Sequence, residues 1–455
     1  MKVRAARVLT VAGAAAVAAS LAVGQALGAA TAGPHAGRPA LLPGTVHGHE
    51  LLVTPRADHT GPGLAVPPLV AEIHGHTATG QPLTASPAPS GYSPAQLSAY
   101  LRLHGNGSGQ TVVITDAYDD PAIVSDVNTY SQQFGLPLAC GSTGAGSTCF
   151  TFSVQSPDGT AGSDPGWGTE VALDVEMVHA IAPRATVVLM EAHDASVPAL
   201  DSAIDHAASL KPAVISDSWN LNGTEFAAQT ELDAHCKLAH SLCVFSSGDF
   251  SNPTGWPSTS PDVLAVGGTH LQLASDGSVS SETAWGTQYG LQGSGGGISY
   301  IERRPAYQRK VNPSAYRGVP DVSFDADPAT GVAVYDSDGI TGQWLQVGGT
   351  SVGSPAWSGI LAVVAQLRTA AGTPPLVAAG YAAQRAIYGL HAGLADITRG
   401  ENGPASVSSD WAGDNCGPQC QARTGYDYVT GLGSPRPGID TALAVAPEEG
   451  QPGNP

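Results

Sequence analysis

Two carboxylic acids are the first residues of this chain whose types and spacing could do chemistry together. Glu170 and Asp174 stand four positions apart within T-E-V-A-L-D-V-E-M-V-H-A-I-A, an otherwise apolar segment that predicts a buried helix. Both side chains then share one helix face, where burial and mutual repulsion raise the pKa of one of them. Such a pair holds a proton in acid and is suited to general acid and base catalysis.

A serine with the features of a presented nucleophile lies far downstream. Ser351 belongs to the stretch G-G-T-S-V-G-S-P, and the apolar run from Ala356 to Leu367 that follows Pro355 predicts a helix. Backbone N–H groups at a helix N-terminus favour negative charge that develops beside them. Taken alone, the motif also fits an ordinary helix cap. Together with the carboxylate pair, it favours a hydrolase.

The elements that must position these residues alternate along the chain. Apolar strand candidates recur within residues 91–446, with helix-like segments between them. This alternation implies an α/β domain with a parallel sheet covered by helices on both faces. The predicted strands are Thr111–Ile114, Thr186–Met190, Ala213–Ser216, Cys243–Ser246, Val263–Val266 and Val332–Tyr335.

The N-terminal residues have the pattern of a secretory signal peptide. Lys2, Arg4 and Arg7 precede an apolar run from Val8 to Leu27, and small residues follow it. No later stretch has the apolar length of a membrane span. We therefore predict a secreted, extracellular protein with no membrane association after signal removal. The predicted organisation is a signal peptide at 1–30, a Pro/Gly/Ala-rich propeptide or linker at 31–90, a catalytic domain at 91–446 and a disordered C-terminal tail at 447–455.

The charge of the chain is strongly acidic. The formal net charge is −19, and 13% of the residues are charged. A nucleic acid backbone would repel such a surface, which argues against nucleic acid as a partner. Protonation of carboxylates in acid would lower the self-repulsion, as suits a protein that faces low pH.

The six cysteines fall into three close pairs. An exported chain permits their oxidation, and we predict three local disulfides. No pair has the two-residue gap of a zinc knuckle, and no histidine stands at matching spacing, so a zinc site is disfavoured. The pairs are Cys140/Cys149, Cys236/Cys243 and Cys416/Cys420.

Several separated motifs from Gly91 to Ala446 resemble, in their order, those of the sedolisin family, the serine-carboxyl peptidases. This family shares the subtilisin fold and has glutamate in place of its histidine. The resemblance implies a three-layer α/β fold with a mainly parallel central sheet flanked by helices. The motifs are V-V-I-T-D-A-Y-D-D, E-V-A-L-D-V-E, S-D-S-W-N, S-S-G-D-F, G-G-T-S-V-G-S-P-A-W-S-G-I, D-I-T-R-G and T-G-Y-D-Y-V-T-G-L-G-S-P.

The resemblance also implies roles for individual residues. Ser351 would be the nucleophile, Glu170 the base, and Asp174 the group that orients Glu170 and shares its proton. Asp249 of S-S-G-D-F would be protonated and would donate to the tetrahedral oxyanion. The activity implied is that of an acid-active serine-type endopeptidase that works on proteins or peptides through an acyl-enzyme, as a monomer.

One structural calcium ion is implied by the same resemblance. Asp396 and Asp427 would supply carboxylate oxygens, with carbonyl oxygens from Ile397, Arg423 and Gly425. Hard oxygen ligands suit calcium.

An outer hydrogen-bond network is implied as well. Asp116 and Trp219 match positions that support the catalytic glutamate in relatives.

Two other interpretations compete with this one. A Ser-His-Asp subtilase would use Asp116 as its acid, but the His74-Gly75-His76 motif precedes the first predicted strand of the catalytic domain, whereas that mechanism needs a histidine after the aspartate. His179 lies on the opposite helix face from Glu170 and is expected to be a packing or surface residue. A secreted binding protein that has lost catalysis is the second alternative, and the competent residues at all four catalytic positions argue against it.

Overall fold

A computed structural model describes most of the chain from residue 88 to residue 446. The described residues are 41–46, 49–53, 65, 70–73 and 88–446, apart from 222, 287–291, 339–342, 378, 391 and 404–416. The described residues all belong to one compact unit, which lies within residues 37–455.

The strands within the described residues are β1 (Leu41–Val46), β2 (His49–Val53), β3 (Val70–Ile73), β4 (Thr111–Ala117), β5 (Phe152–Gln155), β6 (Thr186–Ala192), β7 (Val214–Asp217), β8 (Leu242–Ser246), β9 (Val263–Leu273), β10 (Val279–Ala284), β11 (Gly297–Arg303), β12 (Tyr316–Val319), β13 (Val322–Asp325), β14 (Val332–Asp336), β15 (Gln343–Gly348), β16 (Leu394–Ala395) and β17 (Ser434–Pro435). The helices are α1 (Pro94–Leu101), α2 (Ile123–Phe134), α3 (Pro165–Ile181), α4 (Val197–Ser209), α5 (Gln229–Leu232), α6 (Gly353–Ala371), α7 (Ala382–Tyr388) and α8 (Ile439–Ala444).

The central sheet has eight strands in the order β10-β9-β8-β7-β4-β6-β5, with β13 paired to β9. Every pairing is parallel except that of β10 with β9. The prediction of a mainly parallel sheet is confirmed. Five of the six predicted strands, from Thr111–Ile114 to Val263–Val266, lie in it.

Alternation along the strands divides the core between the two faces of this sheet. Val112 and Ile114 of β4 are buried in the cluster that contains the apolar residues of α3 and α6. Val113, which points to the opposite face, belongs to the cluster that contains the apolar side of α4. Because both faces are covered, the parallel strands are apolar on both sides, and the arrangement has the three layers that were predicted.

The sixth predicted strand lies elsewhere. Residues Val332–Asp336 form β14, which pairs antiparallel with β15 in a second sheet of order β1-β2-β3-β15-β14. The expectation that this segment joins the parallel sheet is wrong, because a short connection allows neighbouring strands to pair only as an antiparallel hairpin, whereas parallel pairing needs a long crossover. We call β14, the residues Ser337 and Asp338 that follow it, and β15 the β14–β15 hairpin.

Three strands of this second sheet come from the segment predicted to be a propeptide or linker. The backbone of β3 pairs with β15, with Val70 opposite Gly348. Farther from the hairpin, β2 pairs with β3 and β1 with β2. The N-terminal segment therefore extends the sheet that contains β15, the strand that leads directly to Ser351.

Two of the predicted disulfides are present, Cys140–Cys149 and Cys236–Cys243. Cys420 is also disulfide-bonded, and its predicted partner Cys416 lies outside the described residues. Among the helices described, none has the length and apolar character needed to cross a bilayer. The predicted signal peptide and C-terminal tail lie outside the described residues.

Candidate active site

Helix α3 carries both catalytic carboxyl candidates into the core. Asp164 caps its N-terminus by accepting hydrogen bonds from the N–H groups of Gly166 and Trp167, and Pro165 occupies the first turn. Glu170 and Asp174 have no exposed surface. The sequence thus forms a well-capped buried helix that carries two acids four residues, or about one helical turn, apart.

Ser351 follows a turn that only glycines can make. Gly349 has φ +101°, and a Cβ added to Gly348 would lie 2.4 Å from the backbone nitrogen of Pro328. Thr350–Val352 form a short 3-10 turn that continues directly into α6. The predicted position of Ser351 at a helix N-terminus is what the structure shows.

The Ser351 hydroxyl and the Glu170 carboxyl belong to one buried site. Burial, followed by the charge of Asp116, raises the pKa of Glu170 well above its ordinary value, and the hydroxyls of Ser351 and Ser218 act in the opposite direction. Among the described residues, neither Ser351 Oγ nor the Glu170 oxygens have a partner at full hydrogen-bond geometry. Catalytic hydrogen bonds are often long before substrate binds and tighten when it does.

Asp174 connects to the nucleophile through Ser218. Ser218 Oγ lies 2.9 Å from Asp174 Oδ1 and 3.4 Å from the carbonyl oxygen of Ser351. Burial, the charge of Asp116 and the charge of Glu170 raise the pKa of Asp174, while the Ser218 hydroxyl opposes the rise. Two buried carboxyls that repel each other resist ionising at the same time.

Asp116 influences the site by its charge. It lies in β4 with both carboxyl oxygens buried and without a hydrogen-bond partner among the described residues, and its pKa is raised by burial and then by Glu191. Trp219 Nε1 also has no such partner; the ring packs edge-on against Phe245 and Trp256. Among the described residues, the expected hydrogen-bonded outer network of Asp116 and Trp219 is therefore not formed.

Asp249 lies just after β8, beside the residue that precedes the nucleophile. Its Oδ1 accepts hydrogen bonds from the Thr350 N–H at 2.8 Å and from Thr350 Oγ1 at 2.9 Å. The Gly248 N–H in turn donates to Thr350 Oγ1 at 3.0 Å. Burial raises the pKa of Asp249 to about 8, against these two hydrogen bonds. Asp249 is therefore protonated in acid, and Oδ2, which has no partner among the described residues, is free to carry the proton and donate it.

His179, the histidine on α3, does not supply a base to Ser351. His179 is buried, its Nε2–H donates to the Pro137 carbonyl at 2.9 Å, and its ring stacks on Phe150. Burial lowers the pKa of His179 to about 4. Its expected role as a packing residue is confirmed, whereas His74 lies outside the described residues.

The proposed calcium ligands gather in one loop region. The Gly425 N–H donates to Asp396 Oδ2 at 2.8 Å, and the Arg423 N–H donates to Asp427 Oδ2 at 2.9 Å. Burial raises the pKa of Asp427, against hydrogen bonds from the N–H groups of Thr430, Arg423 and Val429. Two carboxylates with carbonyls on the same loops fit a calcium ion. Ile397, also proposed as a carbonyl ligand, is buried next to Asp396 in sequence.

One other group of potential ligands lies within the described residues. Asp217 Oδ and the sulfurs of Cys236 and Cys243 lie within 4.8 Å of one another. Both sulfurs belong to a disulfide, so neither is available as a thiolate ligand. This group is not a metal site.

Two functional side chains were missed by the sequence analysis. Ser218 holds Asp174, and Thr350 holds Asp249. A signal existed for each, since both hydroxyls lie within motifs that were singled out, at the end of a buried strand and beside the nucleophile. Hydroxyls are so frequent in these turns that type and spacing alone do not identify the partner.

Comparisons with known proteins identify a family model and individual proteins that this chain resembles. A model described as the subtilase family matches residues 155–380. Kumamolisin from Bacillus sp. (strain MN-32) is 31% identical over 399 residues, which cover 80% of this chain and 66% of that protein. Sedolisin from Pseudomonas sp. (strain 101) is 37% identical over 185 residues, covering 39% of this chain and 28% of that protein.

Among solved structures, that of Pseudomonas sedolisin, a serine-carboxyl proteinase complexed with two molecules of pseudo-iodotyrostatin, has a similar fold. It aligns with a TM-score of 0.62 and 24% identity over 78% of this chain and 98% of that one. The predicted subtilisin-like α/β fold is confirmed. The aligned part of this chain spans 66% of the length of kumamolisin and 28% of the length of sedolisin, which is less than two thirds of each.

Proposed function

Because this chain belongs to the sedolisin family of serine-carboxyl peptidases, we propose that it is a secreted, acid-active endopeptidase that cleaves proteins or peptides through an acyl-enzyme on Ser351. The observation that carries the proposal is the buried grouping of Ser351 with the Glu170 carboxyl, while Ser218 links Asp174 to the same site. A serine beside a carboxylate pair, rather than beside a histidine, is suited to acid.

The first half of the reaction forms an ester. Ser351 Oγ attacks the carbonyl carbon of the substrate, and Glu170 accepts the hydroxyl proton, which Asp174 helps to hold. The carbonyl oxygen becomes an oxyanion, which the protonated Asp249 stabilises by a hydrogen bond. Glu170 then gives its proton to the leaving amine as the C–N bond breaks.

The second half restores the enzyme. A water molecule attacks the ester carbon, and Glu170 takes a proton from it. The bond from the carbon to Ser351 Oγ breaks, and the serine regains a proton from Glu170 as the carboxylic acid product leaves. Each proton that Glu170 accepts is returned in the same half-reaction, so the residue ends each half in its starting state.

The acid preference follows from how many carboxyl protons the site needs. Asp249 must remain protonated to act as a donor, and Asp174 must retain a proton near Glu170. Burial raises the pKa of both groups. As the pH rises through the pKa of about 8 of Asp249, the site loses its oxyanion donor and gains a charge that opposes the oxyanion.

The remaining assignments support the same function. Asp396 and Asp427, with the carbonyl oxygens of Ile397, Arg423 and Gly425, would hold one structural calcium ion that stabilises the C-terminal loops. The N-terminal residues are proposed to be a signal peptide, and the two disulfides fit an oxidising compartment. We propose that the mature protein is a monomer.

A covalent probe tests the proposal directly. A peptide aldehyde with a ¹³C carbonyl should form a hemiacetal with wild-type protein at pH 4, and the ¹³C resonance should report it. Ser351→Ala should give no hemiacetal. Ser354→Ala is the matched control, because its hydroxyl bonds to the Val244 carbonyl at 2.9 Å, and it should still react. A hemiacetal that persists in Ser351→Ala would overturn the assignment of the nucleophile.

A further inference from the structure

A second group of buried carboxyls lies beside the catalytic helix and is not used in the proposed chemistry. Asp126 of α2, Glu176 of α3 and Asp336 at the end of β14 are all buried. We call these three residues the hairpin carboxyls. Each one accepts a hydrogen bond that joins the β14–β15 hairpin to α2 or α3.

The contacts run directly between the hairpin and the helices. Glu176 Oε2 accepts from the Tyr335 N–H at 2.9 Å. Asp336 Oδ2 accepts from Thr169 Oγ1 at 2.6 Å, and Thr169 immediately precedes Glu170. These bonds attach the end of β14 to α3 at two positions that flank the catalytic pair.

A third contact attaches the hairpin to α2. Asp126 accepts from the Ser337 N–H at 2.7 Å and from Ser337 Oγ at 2.8 Å. Aromatic packing accompanies it, since Trp344 of β15 lies against Phe134 and Tyr335, with ring centroids 5.5 and 5.0 Å away. The hairpin is therefore held by polar bonds to carboxyls as well as by its apolar face.

The hairpin matters for catalysis because of where it leads. The last residue of β15 is Gly348, and Ser351 follows three residues later. A displacement of β14 from α3 would move the strand that delivers Ser351 relative to the helix that carries Glu170. An error of about 1 Å in such a geometry is enough to cost a large factor in rate.

The groups that face Glu176 are nearly all acidic. Asp126 and Tyr130 face it from α2, Asp336 from β14, and Asp120 from the loop after β4. Within the described region, neither Asp126 nor Glu176 forms an ion pair with a Lys, Arg or His. Glu176 Oε1 has no hydrogen-bond partner there. An ionised Glu176 would thus be buried among like charges without a cation.

We propose that Glu176 is a positioning residue for Ser351: its protonated side chain keeps the β14–β15 hairpin docked on the catalytic helix, and the loss of its proton as the pH rises releases the hairpin. Only the consequence for catalysis rests on the proposed function. Docking itself is a property of the fold.

The direction of the pH dependence follows from where the proton is bound. Burial, opposed by the Tyr335 N–H, and then the charges of Asp126, Asp336 and Asp120 raise the pKa of Glu176 well above 4.5. In an open hairpin the side chain meets water and has an ordinary pKa. Above that value the docked state holds one more proton than the open state, so the open fraction rises by up to about tenfold per pH unit.

Hydrogen exchange in an inactive background tests docking without self-digestion. The Ser351→Ala protein would be studied from pH 4.5 to pH 7.5, with exchange corrected for the intrinsic pH dependence. Exchange of peptides that cover residues 332–348 should increase up to about tenfold per pH unit, while peptides from the central sheet change much less. Exchange in 332–348 that follows only the intrinsic rate would overturn the proposal.

Two substitutions at Glu176 separate charge from hydrogen bonding. Glu176→Gln imitates the protonated acid and keeps an acceptor for the Tyr335 N–H, so the hairpin should stay protected up to pH 7.5. Glu176→Leu fills similar space without an acceptor and should expose the hairpin at every pH. If Glu176→Leu does not fold, Glu176→Gln is a sufficient test. Hairpin exchange in Glu176→Gln that increases with pH as it does in the parent would contradict the proposal.

Asp233→Asn is the matched control. Asp233 is a buried acid whose pKa burial raises to about 7, and it accepts from Trp256 Nε1 at 3.2 Å rather than from the hairpin. This variant should show the same hairpin exchange as its parent. An equal suppression by Asp233→Asn and Glu176→Gln would show a global effect and overturn the specific role of Glu176.

Activity assays connect docking to catalysis. On an otherwise wild-type background, Glu176→Gln should move the alkaline limit of peptide cleavage to higher pH. An unchanged limit, together with suppressed hairpin exchange, would overturn the positioning role. If wild-type protein cleaved no peptide at any pH while the exchange behaved as expected, the proposed function would fail and the pH-sensitive hairpin would stand.

Discussion

Asp249 and Thr350 are joined by two hydrogen bonds that meet at a single oxygen. Both the N–H and the hydroxyl of Thr350 donate to Asp249 Oδ1, at 2.8 and 2.9 Å. Oδ1 is thus committed as an acceptor, and a proton on this carboxyl belongs on Oδ2. The residue beside the nucleophile therefore orients the group that is proposed to stabilise the oxyanion.

The first prediction concerns this donor. In Asp249→Asn the amide oxygen can accept both Thr350 bonds, and the amide nitrogen can donate at every pH. We expect this variant to retain at least about a tenth of wild-type kcat in acid and to remain active at higher pH. Asp249→Ala removes the donor and should lower kcat by about 10²–10³-fold. Assays of both variants from pH 3 to pH 9 check this, and equal losses in the two would contradict the donor role.

The second prediction concerns the link from Ser218 to Asp174. Ser218→Ala removes the hydroxyl that lies 2.9 Å from Asp174 Oδ1 and that opposes the rise of its pKa. We expect kcat to fall roughly tenfold, because Asp174 loses its orientation and the shared proton moves toward it. Ser216→Ala is the control: its hydroxyl lies on β7, two residues before Ser218, but faces Ser354 Oγ at 3.3 Å, and kcat should stay within about twofold. Equal effects would contradict a specific role of Ser218.

The third prediction is that folding stability falls as the pH rises. Burial raises the pKa of Asp120, Asp201 and Asp233 to about 7 and that of Asp249 to about 8. The unfolded chain releases these protons near pH 4 while the folded chain keeps them, so stability is greatest in acid and is lost as the pH rises through 7 and 8.

Thermal unfolding of Ser351→Ala at fixed calcium concentration measures this effect. We expect the melting temperature to fall by roughly 10 °C or more between pH 4 and pH 8. Asp233→Asn should make the dependence shallower, since one of the four groups no longer titrates. A melting temperature that rises over this interval would show that the buried carboxyls are not protonated in the folded state.

The fourth prediction concerns calcium. A cation that binds only the folded loops should raise the melting temperature. At a concentration one hundred times Kd, it adds about 2.7 kcal/mol to the free energy of unfolding. Asp427→Asn should abolish the shift, because it removes a carboxylate charge while the amide oxygen still accepts backbone bonds. Asp276→Asn, in an exposed turn, is the control and should leave the shift unchanged. A calcium shift of full size in Asp427→Asn would contradict the proposed site.

Much of the fold could be predicted from local patterns. Five strands of the central sheet are visible in the sequence as short apolar runs. Helices α3 and α6 have both an apolar composition and clear N-terminal signals. Each of these elements is specified by residues close together in sequence. The placement of β14 was not predictable in this way, because its partner is decided by the length of the connection to β15 and by the contacts of Asp336 and Tyr335 with α3.

The site divides along the same line. Glu170, Asp174 and Ser351 lie in motifs whose residue types limit the possible chemistry, so sequence could nominate them. The hydrogen bonds made by Ser218 and Thr350, and the absence of one from Trp219 Nε1 within the described region, depend on distances between segments more than 40 residues apart. Such contacts are set by packing and are not encoded in any local pattern.

The central claim is that Glu170, rather than a histidine, is the base for Ser351. Cleavage of a quenched peptide library from pH 2 to pH 9 by wild type, Glu170→Gln, Ser351→Ala and His179→Ala tests it most directly. We predict that wild type cleaves only in acid and that His179→Ala retains this activity. The rate of cleavage should fall by about 10²–10⁴-fold in Glu170→Gln and Ser351→Ala. Activity that survives in Glu170→Gln, or that is lost only when a histidine is removed, would contradict the account.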